Sequence, residues 1–380
     1  MADTARADLV IAGGTVIDPA QKLHEARDVV IADGKITELT SPGEAPSASR
    51  DLDARGLLVT PGLIDLHTHV YEHVGAVNID ASSLAARSGT TTMVDAGSAG
   101  AAIFDGFRHY VAARARCRLL ALLNISVIGA VASPMAGYGR FVDPTATAET
   151  VDANRDLIVG VKVLGSRIQV GEDNTDQPVW HAHAAARAAG VPLMLHIGDP
   201  PPTLTQSIPI LDQGDLITHC YKGQLVGRLV DRDGNPAVVL QEARERGVLM
   251  DVGHGSGSYH WGVARQLCGH GYWPDTISTD VHAGSINGPA YDMPTTMSKL
   301  LHLGMPLDEV IRASTLRPAQ AIGWDDRIGS LEVGRTADVA VLAQEGGSFP
   351  LTDTFQQTET ATRRLVARHT IVGGEVISAS

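Results

Sequence analysis

The sequence predicts an α/β protein: a (β/α)8 (TIM) barrel with a small β-sandwich domain formed from both termini. Three observations carry this expectation. The chain has 380 residues, which suits one barrel of roughly 250 residues plus a satellite domain. Strand-only texture is confined to the two ends. Between them, continuous apolar runs alternate with Ala- and Leu-rich helical stretches, the pattern of a parallel sheet covered on both faces. The expected division is 1–60 with 330–380 for the composite β-domain and 61–329 for the barrel.

At the amino end, DLVIAGGTVID (8–18) and DVVIADGKITEL (28–39) are Val- and Ile-rich runs. Each is broken by a glycine-containing pair, Gly13–Gly14 and Asp33–Gly34, and reads as a hairpin. At the other end ADVAVLA (337–343) and RRLVARHTIVGGEVIS (363–378) repeat that texture, with Gly373–Gly374 as a turn. In between, strands are expected at 57–70, in TTTMVDAG, RLLALLNISV, IVGVKVLG, VPLMLHIG, DLITHCY and VLMDVG, and in DTISTDV. Eight such strands are the number that closes a barrel. Helices are expected at 179–190, 237–247 and 306–323, the last leading back to the β-domain. The apolar stretch 119–137 is interrupted by Asn124 and Ser126 and broken by Gly129, Pro134 and Gly137. It reads as a buried strand with its loop rather than a membrane span.

Composition narrows the partners. A formal net charge of -13 repels phosphate backbones and anionic lipid, so neither nucleic acid nor a membrane surface is an expected partner. Three scattered cysteines, Cys117, Cys220 and Cys268, form no CxxC pair and no disulfide framework. No secretory signal is visible at the amino terminus, and a cytoplasmic location is expected.

Chemistry-bearing residues recur at predicted strand ends. His67 and His69 lie two apart on a strand, so both imidazoles face one side and can grip one ion. Lys162, His196, His219 and Asp280 follow at intervals of 95, 34, 23 and 61 residues. With about 30 residues per βα unit, these positions fall on strands 1, 4, 5, 6 and 8, near the carboxyl ends where barrel enzymes build their sites. Lys162 stands among Val161, Val163 and Leu164. Burial there lowers a lysine's pKa, and a neutral amine can take up carbon dioxide to form a carbamate able to bridge two cations. Cys220 faces away from His219 on the same strand and reads as core.

The chain resembles the amidohydrolase superfamily in VIAGGTVID, VTPGLIDLHTH and GSLEVGRTADVAVL, which stand in that family's order. GVKVLGS, LMLHIGDPPP, THCYKG and STDVHAGSINGPAYDMPTTMSKLL resemble its dihydroorotase-like deacetylase branch. The resemblance implies a first metal on His67, His69 and Asp280, a second on His196 and His219, and carboxylated Lys162 between them. Two Zn2+ ions per chain suit this donor set, with Mn2+ or Fe2+ as alternatives. It further implies metal-activated water attacking a scissile carbonyl, with Asp280 moving the proton to the leaving group. The expected substrate is a small N-acetyl amino acid or O-acetyl hydroxy acid, and the expected assembly a homo-oligomer.

Four further residues are expected to bind substrate. Arg167 follows the fourth barrel strand and could hold a carboxylate through two hydrogen bonds. Tyr221 follows the sixth, with Lys222 beside it, and His254 follows the seventh in GHGSGS. His282 stands two past Asp280. His181 and His183 read as solvated helix residues. A cyclic-amide hydrolase of the dihydroorotase or hydantoinase type would share every metal ligand, and a non-catalytic scaffold would have lost some of them.

Overall fold

The computed structural model describes residues 7–75, 77–131, 140–170, 176–223 and 229–377. The strands are β1 Ala7–Asp18, β2 Leu23–Ala32, β3 Lys35–Thr40, β4 Ala48–Asp53, β5 Leu58–Pro61, β6 Leu63–Thr68, β7 Thr90–Gly100, β8 Arg118–Asn124, β9 Ile158–Gly165, β10 Leu193–Ile197, β11 Leu216–Thr218, β12 Leu249–Asp251, β13 Val339–Thr352, β14 Thr358–Val372 and β15 Glu375–Ile377. They form two sheets.

The first joins both chain ends in the order β15-β14-β13-β5-β1-β2-β3, with β4 branching from β1. The expected sandwich is therefore one hydrogen-bonded sheet. Its packed side is built on Leu9, Ile11, Val16, Val29, Ile31, Val59, Val339 and Ile371. Two of the three glycine pairs act as expected. Asp33–Gly34 and Gly373–Gly374 both have positive φ and join β2 to β3 and β14 to β15. Gly13–Gly14 does not turn the chain. β1 runs through it with a register shift against β2, and a Cβ on Gly14 would lie 2.4 Å from Val59 Cγ2. The pair is a bulge that lets β5 approach.

The second sheet is parallel, in the order β12-β11-β10-β9-β8-β7-β6. β9 and β7 are buried at every position, as a sheet covered on both faces requires. The expected strand 57–70 is two strands divided at Gly62, where a Cβ would meet Thr91 Oγ1 at 2.1 Å. β5 joins the terminal sheet and β6 the parallel one. The segment 276–281 touches both outer edges of the parallel sheet through single bridges, Asp251 with Thr276 and Thr68 with Val281. The 119–137 stretch supplies β8 and turns down to residue 131; positions 132–137 lie outside the described residues. Among the described residues, no helix is long and apolar enough to cross a membrane.

Of the helices, Met293–Leu303 bears most on the site. Asp292 caps it, accepting from Thr295 N–H at 2.9 Å, and Gly304 ends it in the left-handed region. Every residue from Met297 to Leu301 is buried, including Lys299.

Candidate active site

Strand register brings the predicted ligands together. Lys162 on β9 lies opposite Asn124 and Met194, His196 opposite Thr218, and Thr218 opposite Asp251. His67 is the penultimate residue of β6, and His219 directly follows β11. His67 and His69 present Nε2 to the same oxygen, Asp280 Oδ1, at 3.4 and 3.3 Å. Lys162 Nζ is 3.0 Å from His67 Nε2. His219 Nε2 meets His196 Nδ1 at 2.7 Å, and the His67 and His219 ring centroids are 5.1 Å apart. All six predicted ligands thus form one group.

The outward-facing nitrogens decide which lone pairs point inward. His219 Nδ1 lies 2.6 Å from the Gly253 carbonyl, which only accepts, so the ring proton sits on Nδ1 and Nε2 is bare. Thr218 Oγ1 gives its single proton to Asp251 Oδ2 at 2.7 Å. It therefore accepts from His67 Nδ1 at 2.9 Å, which leaves His67 Nε2 bare as well. Asp251 is fixed in turn by Thr276 Oγ1 and Ser278 Oγ, each donating at 2.7 Å. His69 Nδ1 pairs with Ser98 Oγ at 2.9 Å. Ligand imidazoles held from behind in this way are the arrangement that metal sites need. Two imidazoles with inward lone pairs, His67 and His219, beside two further imidazoles and a carboxylate, fit divalent cations of the zinc type.

Electrostatics point the same way. Burial pushes His67 and His196 well below the usual imidazole range and His219 down to about 3, a shift toward the neutral form that ligates metals. Burial alone would raise Asp280, but His67, His69 and His219 outweigh it and hold the carboxyl well below its usual range. Burial brings Lys162 down to about 8.

Backbone geometry is adapted to the cluster. His219 and Asp280 have φ of 73° and 46°, a left-handed conformation that costs a non-glycine residue about 1–3 kcal/mol and collects at functional sites. Three glycines stand where a side chain would collide. A Cβ on Gly97 would lie 2.8 Å from Lys162 Cγ, on Gly253 2.2 Å from Thr218 Oγ1, and on Gly255 2.3 Å from Asp280 Oδ2.

The expected substrate residues are placed differently from one another. His254 is fully buried beside the cluster, its Nδ1 on the Gly255 carbonyl at 2.9 Å. His282 lies with its ring 6.3 Å from His69. Arg167 is exposed, donating Nε–H to the Pro200 carbonyl at 2.7 Å. Tyr221 is in the core, with its hydroxyl on Cys268 Sγ and the Tyr272 carbonyl. Its ring packs as T-shaped with Tyr259, because the chain turns after His219 and carries the tyrosine into the apolar wall. His183 is not freely solvated: it pairs with Asp212 at 2.8 Å. Sequence reading passed over Thr218, Asp251, Ser98 and Lys299. Asp251 in VLMDVG, at a strand end like the ligands, was the signal available.

Residues 269–377 match the Amidohydrolase family. The chain is 36% identical over 361 residues to a deacetylase of Agrobacterium fabrum, covering 94% of this chain and 88% of that one. It belongs to the amidohydrolase family. It is accordingly a hydrolase acting on amide bonds. A deacetylase of Brucella anthropi is 34% identical over 359 residues, 93% of this chain and 88% of the relative. Among solved structures, a dihydroorotase superposes with a TM-score of 0.89 at 34% identity, covering 99% of this chain and 98% of that chain. An adenine deaminase superposes with a TM-score of 0.90 at 30% identity, covering 98% and 100%.

Proposed function

We propose that this amidohydrolase is a binuclear metal-dependent deacylase. It removes an acetyl or similarly small acyl group from an N-acyl amino acid or an O-acyl hydroxy acid. One observation carries the reading: bare imidazole nitrogens of His67 and His219, fixed from behind by Thr218 and the Gly253 carbonyl, converge with Asp280 and Lys162. His67, His69 and Asp280 would hold one ion, and His196 and His219 the other. Lys162 would bridge them once its neutral amine has added to the carbon of CO2 and lost a proton, giving a carbamate. Zinc suits the set, with manganese or iron as alternatives. We also take segment 276–281 as the eighth strand of a closed barrel.

Bound there, the cations supply Lewis acidity toward a carbonyl and acidify water. Asp280, kept ionised by the surrounding imidazoles, takes the proton from the attacking water. It returns that proton to the leaving nitrogen or oxygen. The Arg167 Nε–H is already engaged by Pro200, so its two terminal nitrogens are the edge that a substrate carboxylate would meet. His254 and His282 line the same side as Asp280.

The name of the A. fabrum and B. anthropi relatives supports deacetylation. A cyclic-amide reading also has support, because a structure at 34% identity is described as a dihydroorotase. A hydrolysis screen of zinc-loaded protein tests both. Its panel is N-acetyl-D- and L-amino acids, acetylated hydroxy acids, dihydroorotate and hydantoins, with adenine as a deamination control. Turnover of acetylated acids alone is the expected result, and turnover confined to the cyclic amides overturns it. Elemental analysis should give two ions per chain; full activity at one ion per chain would sink the binuclear assignment.

A further inference from the structure

The carboxyl-terminal hairpin reaches the wall of the site. β13 and β14 are 14 and 15 residues long, and the turn between them sits on the loop that follows β12. Asp353 Oδ2 accepts from Trp261 N–H at 3.1 Å, and the Gln357 carbonyl accepts from Trp261 Nε1–H at 3.2 Å. Thr354 Oγ1 accepts from Tyr259 N–H at 3.2 Å and donates to the Tyr259 carbonyl at 2.7 Å. None of these bonds is needed to hold a metal ligand.

Lys299 closes the gap between hairpin and site. It is fully buried, and its Nζ lies 2.6 Å from His254 Nε2, 2.9 Å from the Pro289 carbonyl and 2.7 Å from the Thr352 carbonyl. The two carbonyls can only accept. His254 gives its one ring proton to the Gly255 carbonyl, so its Nε2 accepts as well. Three acceptors match the three N–H bonds of the protonated amine, the form that Lys299 takes below about 7. The Tyr259 ring stands 5.4 Å from Nζ and stacks on His254 at 4.7 Å with planes 10° apart, offering its face to the charge. Next in the chain is Gly255, whose bare Cα makes room for Asp280 Oδ2. Contacts thus run from Thr352 through Lys299, His254 and Gly255 to Asp280. A buried lysine without a carboxylate partner is costly, and an apolar side chain would fill the helix face without that cost.

We infer that Lys299 is a positioning residue of the active site. It ties the carboxyl-terminal hairpin and the Pro289 segment to His254, and through His254 and Gly255 it sets where the Asp280 carboxylate stands. The inference rests on the hydrolytic reading above only for its rate measurement.

The test uses full-length, metal-loaded Lys299→Met. Amide exchange at Gly255, whose N–H is bonded to the Thr279 carbonyl at 2.8 Å, should become at least tenfold faster, as should exchange in 284–292. β7, β8 and β9 should be unchanged. On the substrate found by the screen, kcat should fall tenfold or more, with KM within threefold and metal content unaltered. A folded variant with a lower Tm but wild-type exchange and kcat overturns the inference and leaves Lys299 a packing residue. Faster exchange with kcat within twofold overturns the link to Asp280. Faster exchange in a protein whose wild type turns over nothing on the panel supports the positioning role while the hydrolytic reading fails. If Lys299→Met does not fold, Lys299→Gln keeps two donors and should show the same changes at smaller size; wild-type values there overturn the inference.

Discussion

Gly255 and Asp280 are packed so closely that a methyl group on Gly255 would lie 2.3 Å from Asp280 Oδ2. Gly255 also has φ of +54°, a region that costs an L side chain about 1 kcal/mol or more. Gly255→Ala is therefore expected to lower kcat at least tenfold by displacing the carboxylate. Gly257, two residues on, has nothing within 4 Å of its would-be Cβ, and Gly257→Ala should leave the rate unchanged. Steady-state kinetics on the two variants side by side checks the pair, and equal rates would show that the position of Oδ2 is immaterial.

Thr218→Val removes the hydroxyl through which Asp251 orients His67. With no acceptor behind Nδ1, the ring proton is free to move to Nε2, the nitrogen proposed to ligate. Losses of about 10–100-fold in metal affinity are typical when such supporting groups are removed. Competition against a chromophoric chelator measures this. An unchanged affinity would mean that strand packing alone holds His67.

Lys162→Ala should lose the bridging carboxylate and nearly all turnover. Wild-type protein metallated in bicarbonate should carry one CO2 adduct by native mass spectrometry. A short carboxylic acid added to Lys162→Ala should restore part of the rate. Retention of full metal content and rate in the variant would refute the carbamate.

Asp280→Asn keeps the shape and one carbonyl ligand but cannot hold a proton. Turnover should drop by roughly a hundredfold or more, the usual size of a general acid–base contribution, while much of the metal stays bound. A rate within a few fold of wild type, with both ions in place, transfers the proton role to another group, and His282 is the next to replace.

Lys299 also gives stability a pH dependence. Burial lowers it to about 7 from 10.5. As pH falls from about 10.5 to about 7, the unfolded chain binds a proton that the folded chain does not, so stability falls over that window. Above about 10.5 neither state binds it, and below about 7 both do, so the contribution is flat outside. Denaturant titrations at pH 7 to 10 should show wild type gaining stability with a steeper slope than Lys299→Met. Parallel slopes would mean that the lysine keeps its ordinary pKa.

The proposed ligands were legible because metal chemistry restricts residue types and recurrence at strand ends restricts spacing. His67 and His69 share a face through the two-residue period, and Lys162, His196, His219 and Asp280 recur at strand ends. Their supports were not legible. Thr218 and Ser98 are common residue types, and only the folded sheet shows which ring nitrogen each one faces; Asp251 stands at a strand end, but that position does not reveal that it holds Thr218. Lys299 in TTMSKLLHL carries no sign of burial in its local sequence, and only the fold shows β13 and the His254 loop enclosing it. Gly13–Gly14 resembles the two pairs that do turn, and a distant residue, Val59, decides otherwise. The segment carrying Asp280 was expected as a strand, yet it contributes only single bridges to its neighbours.

The pairing of β5 with β13 sets a timetable for synthesis. Val59 finds its partner in Val341, about 280 residues further along. At roughly 5–20 residues per second, translation leaves that side of β5 without a neighbour for tens of seconds. An apolar strand edge held open so long is a template for pairing with another nascent chain. Heterologous yield should accordingly depend on slow induction or chaperone supply more than on the final stability of the folded protein. Soluble fraction should rise when growth temperature is lowered.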